Sequence, residues 1–189
     1  VAMILGPAPL EFLQYSQAFA LAGLPDPITA TQAELYQAAQ EFPQALPLPA
    51  GLGRDGSLDW LFSRVVVPVL PGRCFVTHFP ASQAVLARLS TADPRVAHRF
   101  ELFCDGIEIA NGFYELTDAA ELRTRFARDQ ATRAGDDEVV PPIDERLLAA
   151  IEHGLPDCSG VALGVDRLIA LQSGFDGISP VLAFDWDRA

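Results

Sequence analysis

Glu101, Glu108, Asn111 and Glu115 lie close together in the chain, with Asp105-Gly106 between the first two. A two-residue Asp-Gly connection flanked by apolar residues is a strong hairpin signal. With that turn Cys104 pairs with Ile107, Phe103 with Glu108, Leu102 with Ile109 and Glu101 with Ala110. Glu101, Phe103, Glu108 and Ala110 then share one face of the hairpin. Glu101 and Glu108 become diagonal neighbours about 7 to 8 Å apart at the backbone. Two inward carboxylates at that spacing can bridge a divalent cation through oxygen ligands; the competing reading is a solvated outer face. Asn111 and Glu115 are four residues apart and share a face of an extended strand. Strict alternation puts them opposite Glu108, and Gly112 is a natural place for a bulge that would unite the two sets. A carboxylate beside an amide suits an alkylammonium group, one supplying charge and the other a directional acceptor. The competing reading is a strand end that caps the next helix.

A further stretch runs Cys158-Ser159-Gly160-Val161-Ala162-Leu163-Gly164-Val165-Asp166-Arg167. Small residues let a ligand approach the backbone, and an Arg in the first turn of a following helix suits phosphate. Close helix–sheet packing explains the same glycines equally well.

The elements that must position these residues are legible in outline. Leu10 to Ala22 reads as a helix stopped by Gly23 and Pro25. Thr31-Gln32-Ala33-Glu34 is a capping box that opens a helix to about Glu41. Pro43 to Gly56 reads as a loop. Asp59 to Val67 reads as a helix with Trp60, Leu61 and Val65 buried, closed by Pro68 and Pro71. Cys74 to Phe79 is strand-like, and Pro80 to Gln83 a turn into a short helical stretch. Strands are expected at about Arg99 to Cys104 and Ile107 to Phe113. Thr117-Asp118 caps a helix to about Arg133, followed by an acidic loop from Gly135 to Pro142. Ile143 to His153 reads as a helix burying Ile143, Leu147, Leu148 and Ile151. Val161 to Leu163 is expected as a short buried strand and Gly164 to Ser173 as a helix. The pattern is α+β: an antiparallel sheet flanked by helices.

Half of the residues are apolar and a fifth charged, a composition expected of one soluble domain. No run approaches the roughly 18 to 20 apolar residues of a membrane helix, so no membrane is expected as a partner. Cys74, Cys104 and Cys158 have the spacing of neither a disulfide framework nor a zinc site, which favours a reducing cytoplasm. Thirteen basic against twenty-five acidic residues give a net charge of −12. With no Lys/Arg cluster, such a chain repels polyanions, and tRNA is not expected as a partner.

Taken together, Phe100 to Phe103, Gly106 to Asp118 and Gly160 to Arg167 resemble class II lysyl-tRNA synthetases, the last block resembling their motif 3. The chain is more similar still to the short paralogue family of elongation factor P lysyltransferases. Phe79-Pro80-Ala81-Ser82-Gln83, Leu116-Thr117-Asp118 and Pro156 through Arg167 carry that likeness, and Ala162 stands where lysyl-tRNA synthetases have Gly. The resemblance covers about Leu10 to Ala189.

It implies magnesium held by Glu101 and Glu108 on ATP, with Glu108, Ile109, Gly164 and Arg167 at the nucleotide and Arg167 acting in catalysis. It implies Asn111, Glu115 and Ala162 at a lysine-type amino acid, lysine or β-lysine, with Glu115 on the side-chain ammonium. The reaction implied is formation of an aminoacyl-adenylate and transfer to elongation factor P by a full-length homodimer. Class II motifs 1 and 2 are not found in residues 1–189. The chain is therefore expected to be the C-terminal part of a catalytic domain, inactive in adenylation by itself. Two other readings stand beside this one: a fragment of a true lysyl-tRNA synthetase, and a non-catalytic synthetase-like binding or dimerising module.

Overall fold

Five strands form one sheet in a computed structural model that describes residues 1–42, 48–135 and 139–186. They are β1 (Glu11–Gln14), β2 (Arg73–Pro80), β3 (Val96–Cys104), β4 (Ile107–Tyr114) and β5 (Ser159–Leu163), in that order across the sheet. The helices are α1 (Ala2–Leu5), α2 (Tyr15–Leu21), α3 (Gln32–Gln40), α4 (Arg54–Leu61), α5 (Ala119–Gly135), α6 (Glu145–Gly154) and α7 (Val165–Ser173). The class is α+β. Strands β2 to β5 are antiparallel, and β1 adds a parallel edge to β2.

The β1 strand corrects the expectation of a helix from Leu10. Residues 11–14 pair with the free edge of β2, and tertiary pairing outweighs a weak local helix preference. The helix starts only at Tyr15, where the Gln14 N–H donates to the Gln17 side chain at 2.8 Å. Three other local signals hold. Thr31 and Glu34 form the reciprocal cap of α3, and Asp118 Oδ1 accepts from the Ala120 and Glu121 N–H groups at the start of α5. Asp105 and Gly106 take φ values of 50° and 76°, the left-handed pair of a type I′ turn.

The helix expected from Asp59 begins earlier, at Arg54, and runs on through a π turn (Phe62–Val66) and a 3-10 turn (Val67–Val69) that takes up Pro68. Of the loop read from Pro43 to Gly56, residues 43–47 lie outside the described residues, as do 136–138 of the acidic loop. Asp144 caps α6, which buries Leu148 while Leu147 stays exposed, contrary to expectation. Strand β5 is not buried either. It lies at the sheet edge, with Val161 62% and Leu163 45% exposed.

The sheet has two unlike faces. On the front, Cys74, Val76, Phe79 and Phe103 pack under Tyr15, Phe19, Leu58, Leu61, Phe62 and Val66 from α2, α4 and the π turn. On the back, Leu102, Cys104, Ile109 and Ala110 pack on Leu168 of α7 and Leu5 of α1. The front helical layer covers β2 and β3 and leaves β4 and β5 more open, as the exposure of β5 shows.

Candidate active site

The hairpin register differs from simple alternation at one place, and that place builds the site. Phe103 pairs with Glu108 and Cys104 with Ile107, as the turn dictates. Beyond them Leu102 pairs with Ala110 and Glu101 with Asn111, so Ile109 is an extra residue in β4. Ile109 and Ala110 both bury their side chains on the back face. Glu108 and Asn111, on either side of this bulge, both face the front. Ile109 and not Gly112 is thus the bulge that brings the two polar sets together. Glu101 pairs with Asn111, where alternation predicts Ala110.

A row now runs across three strands, because Asn111 also pairs with Ala162 of β5. Along Glu101, Asn111 and Ala162 the surroundings change from buried through half-buried to exposed. The Asn111 Oδ1 atom is buried and accepts no hydrogen bond. Glu115 lies at the end of β4, bridged to Ala87. Its carboxylate reaches over Gly160, where a β-carbon would collide with Oε1. With glycine there the carboxylate can lie directly over the β5 backbone; a side chain would displace it. The Glu115 carboxylate makes no hydrogen bond or ion pair with any described residue. An unpaired amide oxygen and an unpaired carboxylate on one sheet face can together serve a cationic ligand group.

Glu101 is 6% exposed, and Arg99 Nη2 donates to its Oε1 at 2.6 Å. Burial pushes the Glu101 carboxyl above its usual range; the Arg99 guanidinium opposes this, while the charges of Glu108 and Asp59 add to it. Sequence reading missed the groups behind Glu101. Arg99 is two residues away on the same strand and so on the same face, a signal that period-2 alternation carries. Asp59 accepts from Gln83 Nε2 at 2.8 Å, and Tyr15 is buried nearby with its hydroxyl unpaired. Neither has a sequence signal, because they come from distant elements.

Glu108 is half-exposed, and Arg167 Nη1 lies 3.6 Å from its carboxylate and donates to its backbone carbonyl at 2.8 Å. Arg167 sits in the first turn of α7. The Gly164 N–H donates to the Ile109 carbonyl at 2.8 Å, so the bulge also anchors the start of α7. The Ile109 side chain itself is in the core, and what it offers a ligand is backbone. Glu101 and Glu108 share a face and feel each other's charge. Two carboxylates without a third protein ligand suit magnesium, which is bound through one or two carboxylates and completes its shell with water and substrate phosphate oxygens. No cluster of three metal-ligating side chains occurs among the described residues.

The profile of the family described as tRNA synthetases class II (D, K and N) matches residues 8–188. The elongation factor P–(R)-β-lysine ligase of Edwardsiella ictaluri is 49% identical over 95% of this chain and 56% of its own length. The ligases of the same name from Pectobacterium carotovorum and Klebsiella pneumoniae are each 48% identical, over 95% and 96% of this chain. The chain spans 56% of the length of each of these relatives. With a profile match over nearly its whole length, the chain belongs to the class II tRNA synthetases of the D, K and N group.

Proposed function

We propose that this chain is the C-terminal part of the catalytic domain of an ATP-dependent ligase that activates lysine or β-lysine and transfers it to a lysine of elongation factor P. The observation that carries the reading is the unpaired Glu115 carboxylate over Gly160, on the same sheet face as the unpaired Asn111 oxygen and Ala162. Its negative charge supports a role as the partner of a substrate's side-chain ammonium. The names of the relatives supply the acceptor and the β-lysine substrate class.

In the reaction, a carboxylate oxygen of the amino acid attacks the α-phosphorus of ATP. The bond to the bridging oxygen breaks and pyrophosphate leaves, giving an aminoacyl-adenylate. The acceptor amine then attacks the acyl carbon, loses a proton and expels AMP. Catalysis of this type rests on positioning and on stabilising charge. Glu101 and Glu108 would hold magnesium, which would supply positive charge to the phosphates. Arg167 stacks on adenine or pairs with the γ-phosphate, and the Glu108–Ile109 backbone and Gly164 line the nucleotide. Asn111 and Glu115 orient the amino acid, and Ala162 floors its pocket. We place the full-length protein in the cytoplasm as a homodimer, with motifs 1 and 2 supplied upstream of these residues. No helix among the described residues is long and apolar enough to cross a membrane, and the net charge of −12 disfavours tRNA.

The test is mass spectrometry of elongation factor P incubated with the full-length protein, ATP, magnesium and β-lysine or lysine. The expected result is an ATP-dependent mass increase equal to one lysyl residue on a single lysine. Aminoacylation of tRNA with no change in elongation factor P would overturn the acceptor assignment.

A further inference from the structure

Arg88 holds the backbone at Glu115. Its Nε donates to the Glu115 backbone carbonyl at 2.7 Å, and its Nη2 donates to Thr117 Oγ1 at 2.9 Å and to Asp157 Oδ1 at 2.5 Å. Its Nη1 reaches the Tyr114 hydroxyl at 3.4 Å, and the guanidinium carbon lies 4.4 Å over the Tyr114 ring. The backbone repeats the connection, for the Arg88 N–H donates to the Tyr114 carbonyl and the Glu115 N–H to the Cys158 carbonyl. One planar cation thus ties the last residues of β4 to the segment that leads into β5. These are the two strands between which the Glu115 carboxylate lies.

The Arg88 donors are directed to a carbonyl, two hydroxyls and the carboxylate of Asp157, which is 73% exposed at the protein surface. Asp157 supplies the counter-charge of this guanidinium. We infer that the Arg88–Asp157 pair is a positioning clamp that fixes the backbone of Glu115, and with it the carboxylate that lies over Gly160 and meets the substrate ammonium. Arg88 touches no reacting atom in this scheme; it acts through Glu115, and the inference rests on the reading of Glu115 as the ammonium partner.

The experiment compares Arg88→Met, Asp157→Asn and Glu115→Gln in the full-length protein. It measures steady-state ATP–pyrophosphate exchange with lysine and β-lysine, calorimetric binding of the same amino acids, and melting temperature. Arg88→Met is expected to raise KM and Kd for the amino acid at least about tenfold, with a smaller change in kcat and KM for ATP within about twofold. Asp157→Asn, at an exposed side chain, removes the counter-charge that orients the guanidinium and is expected to raise the same KM about threefold or more. In a Glu115→Gln background neither substitution should add a further rise, as expected for residues that act as one unit. Arg88→Met and Asp157→Asn with amino-acid KM within twofold of the parent, whether or not melting temperature falls, would overturn the clamp. If Glu115→Gln itself leaves that KM unchanged, the assignment of Glu115 fails, and the clamp with it.

Discussion

At the scale of single residues the site is a set of carboxylates in unlike surroundings. Glu115 is half-buried and unpaired, Glu108 half-exposed beside Arg167, and Glu101 buried against Arg99. Burial raises the Glu101 carboxyl above its ordinary value, and the charge of Glu108 adds to the rise. A raised folded-state value means that folding favours the protonated form. The resulting stabilisation is complete below the ordinary carboxylate range and is lost as pH climbs through the folded value. Glu101→Gln removes this dependence. In the full-length protein without magnesium, the stability of Glu101→Gln relative to the parent, measured by urea unfolding, should therefore be more favourable at about pH 7 than at about pH 4. A difference that is flat with pH, or that grows toward acid, would show that Arg99 outweighs the cost of burial and holds Glu101 ionised.

At the scale of elements, the Asp105-Gly106 turn was readable because a type I′ turn demands φ > 0 at both central residues and few dipeptides accept that. The turn set the pairing of Phe103 with Glu108 correctly. The bulge one residue further on was not readable at its true position. Nothing in Ile109 marks it, and Gly112 is the more obvious local candidate. What selects Ile109 is packing: with Ile109 and Ala110 both turned to the back, the apolar pair fills the core under Leu168. Gly112 has a different task. A β-carbon there would collide with the Phe100 ring and lie 2.7 Å from the Gly160 carbonyl oxygen. Overpacking of this kind costs about 1 to 3 kcal/mol, and here one obstacle is the backbone of the neighbouring strand. Gly112→Ala should lower the unfolding free energy of the full-length protein, measured in urea, by that amount, a loss under about 0.5 kcal/mol, the range of neutral surface changes, being contrary to this packing. The short strand β1 and the exposed edge position of β5 were also hidden in the sequence, since both depend on which strands lie alongside them.

At the scale of the molecule, one sheet face is divided between structure and chemistry. The helical layer of α2, α4 and the π turn seals β2 and β3, and the polar row emerges where that layer stops. Glu101 is thus held by the core, while Asn111 and Glu115 are half-buried and Ala162 is exposed. The back face and α7 fix the far side, with the Gly164–Ile109 hydrogen bond joining the two strands of the site to the helix that carries Arg167. The family motif was visible in the sequence as three separate blocks; the pairing of Glu101 with Asn111 and of Asn111 with Ala162 is what makes them one surface. The central claim is that this surface selects an amino acid by a side-chain ammonium and activates it with ATP. Amino-acid-dependent ATP–pyrophosphate exchange by the full-length protein tests it most directly, with lysine and β-lysine set against norleucine, which has the chain without the side-chain ammonium. The account predicts exchange with one or both lysines and at least about a hundredfold less with norleucine, the discrimination expected when a site built for a polar group must leave its own buried partners unpaired. Equal exchange with norleucine, or none with either lysine, would contradict it.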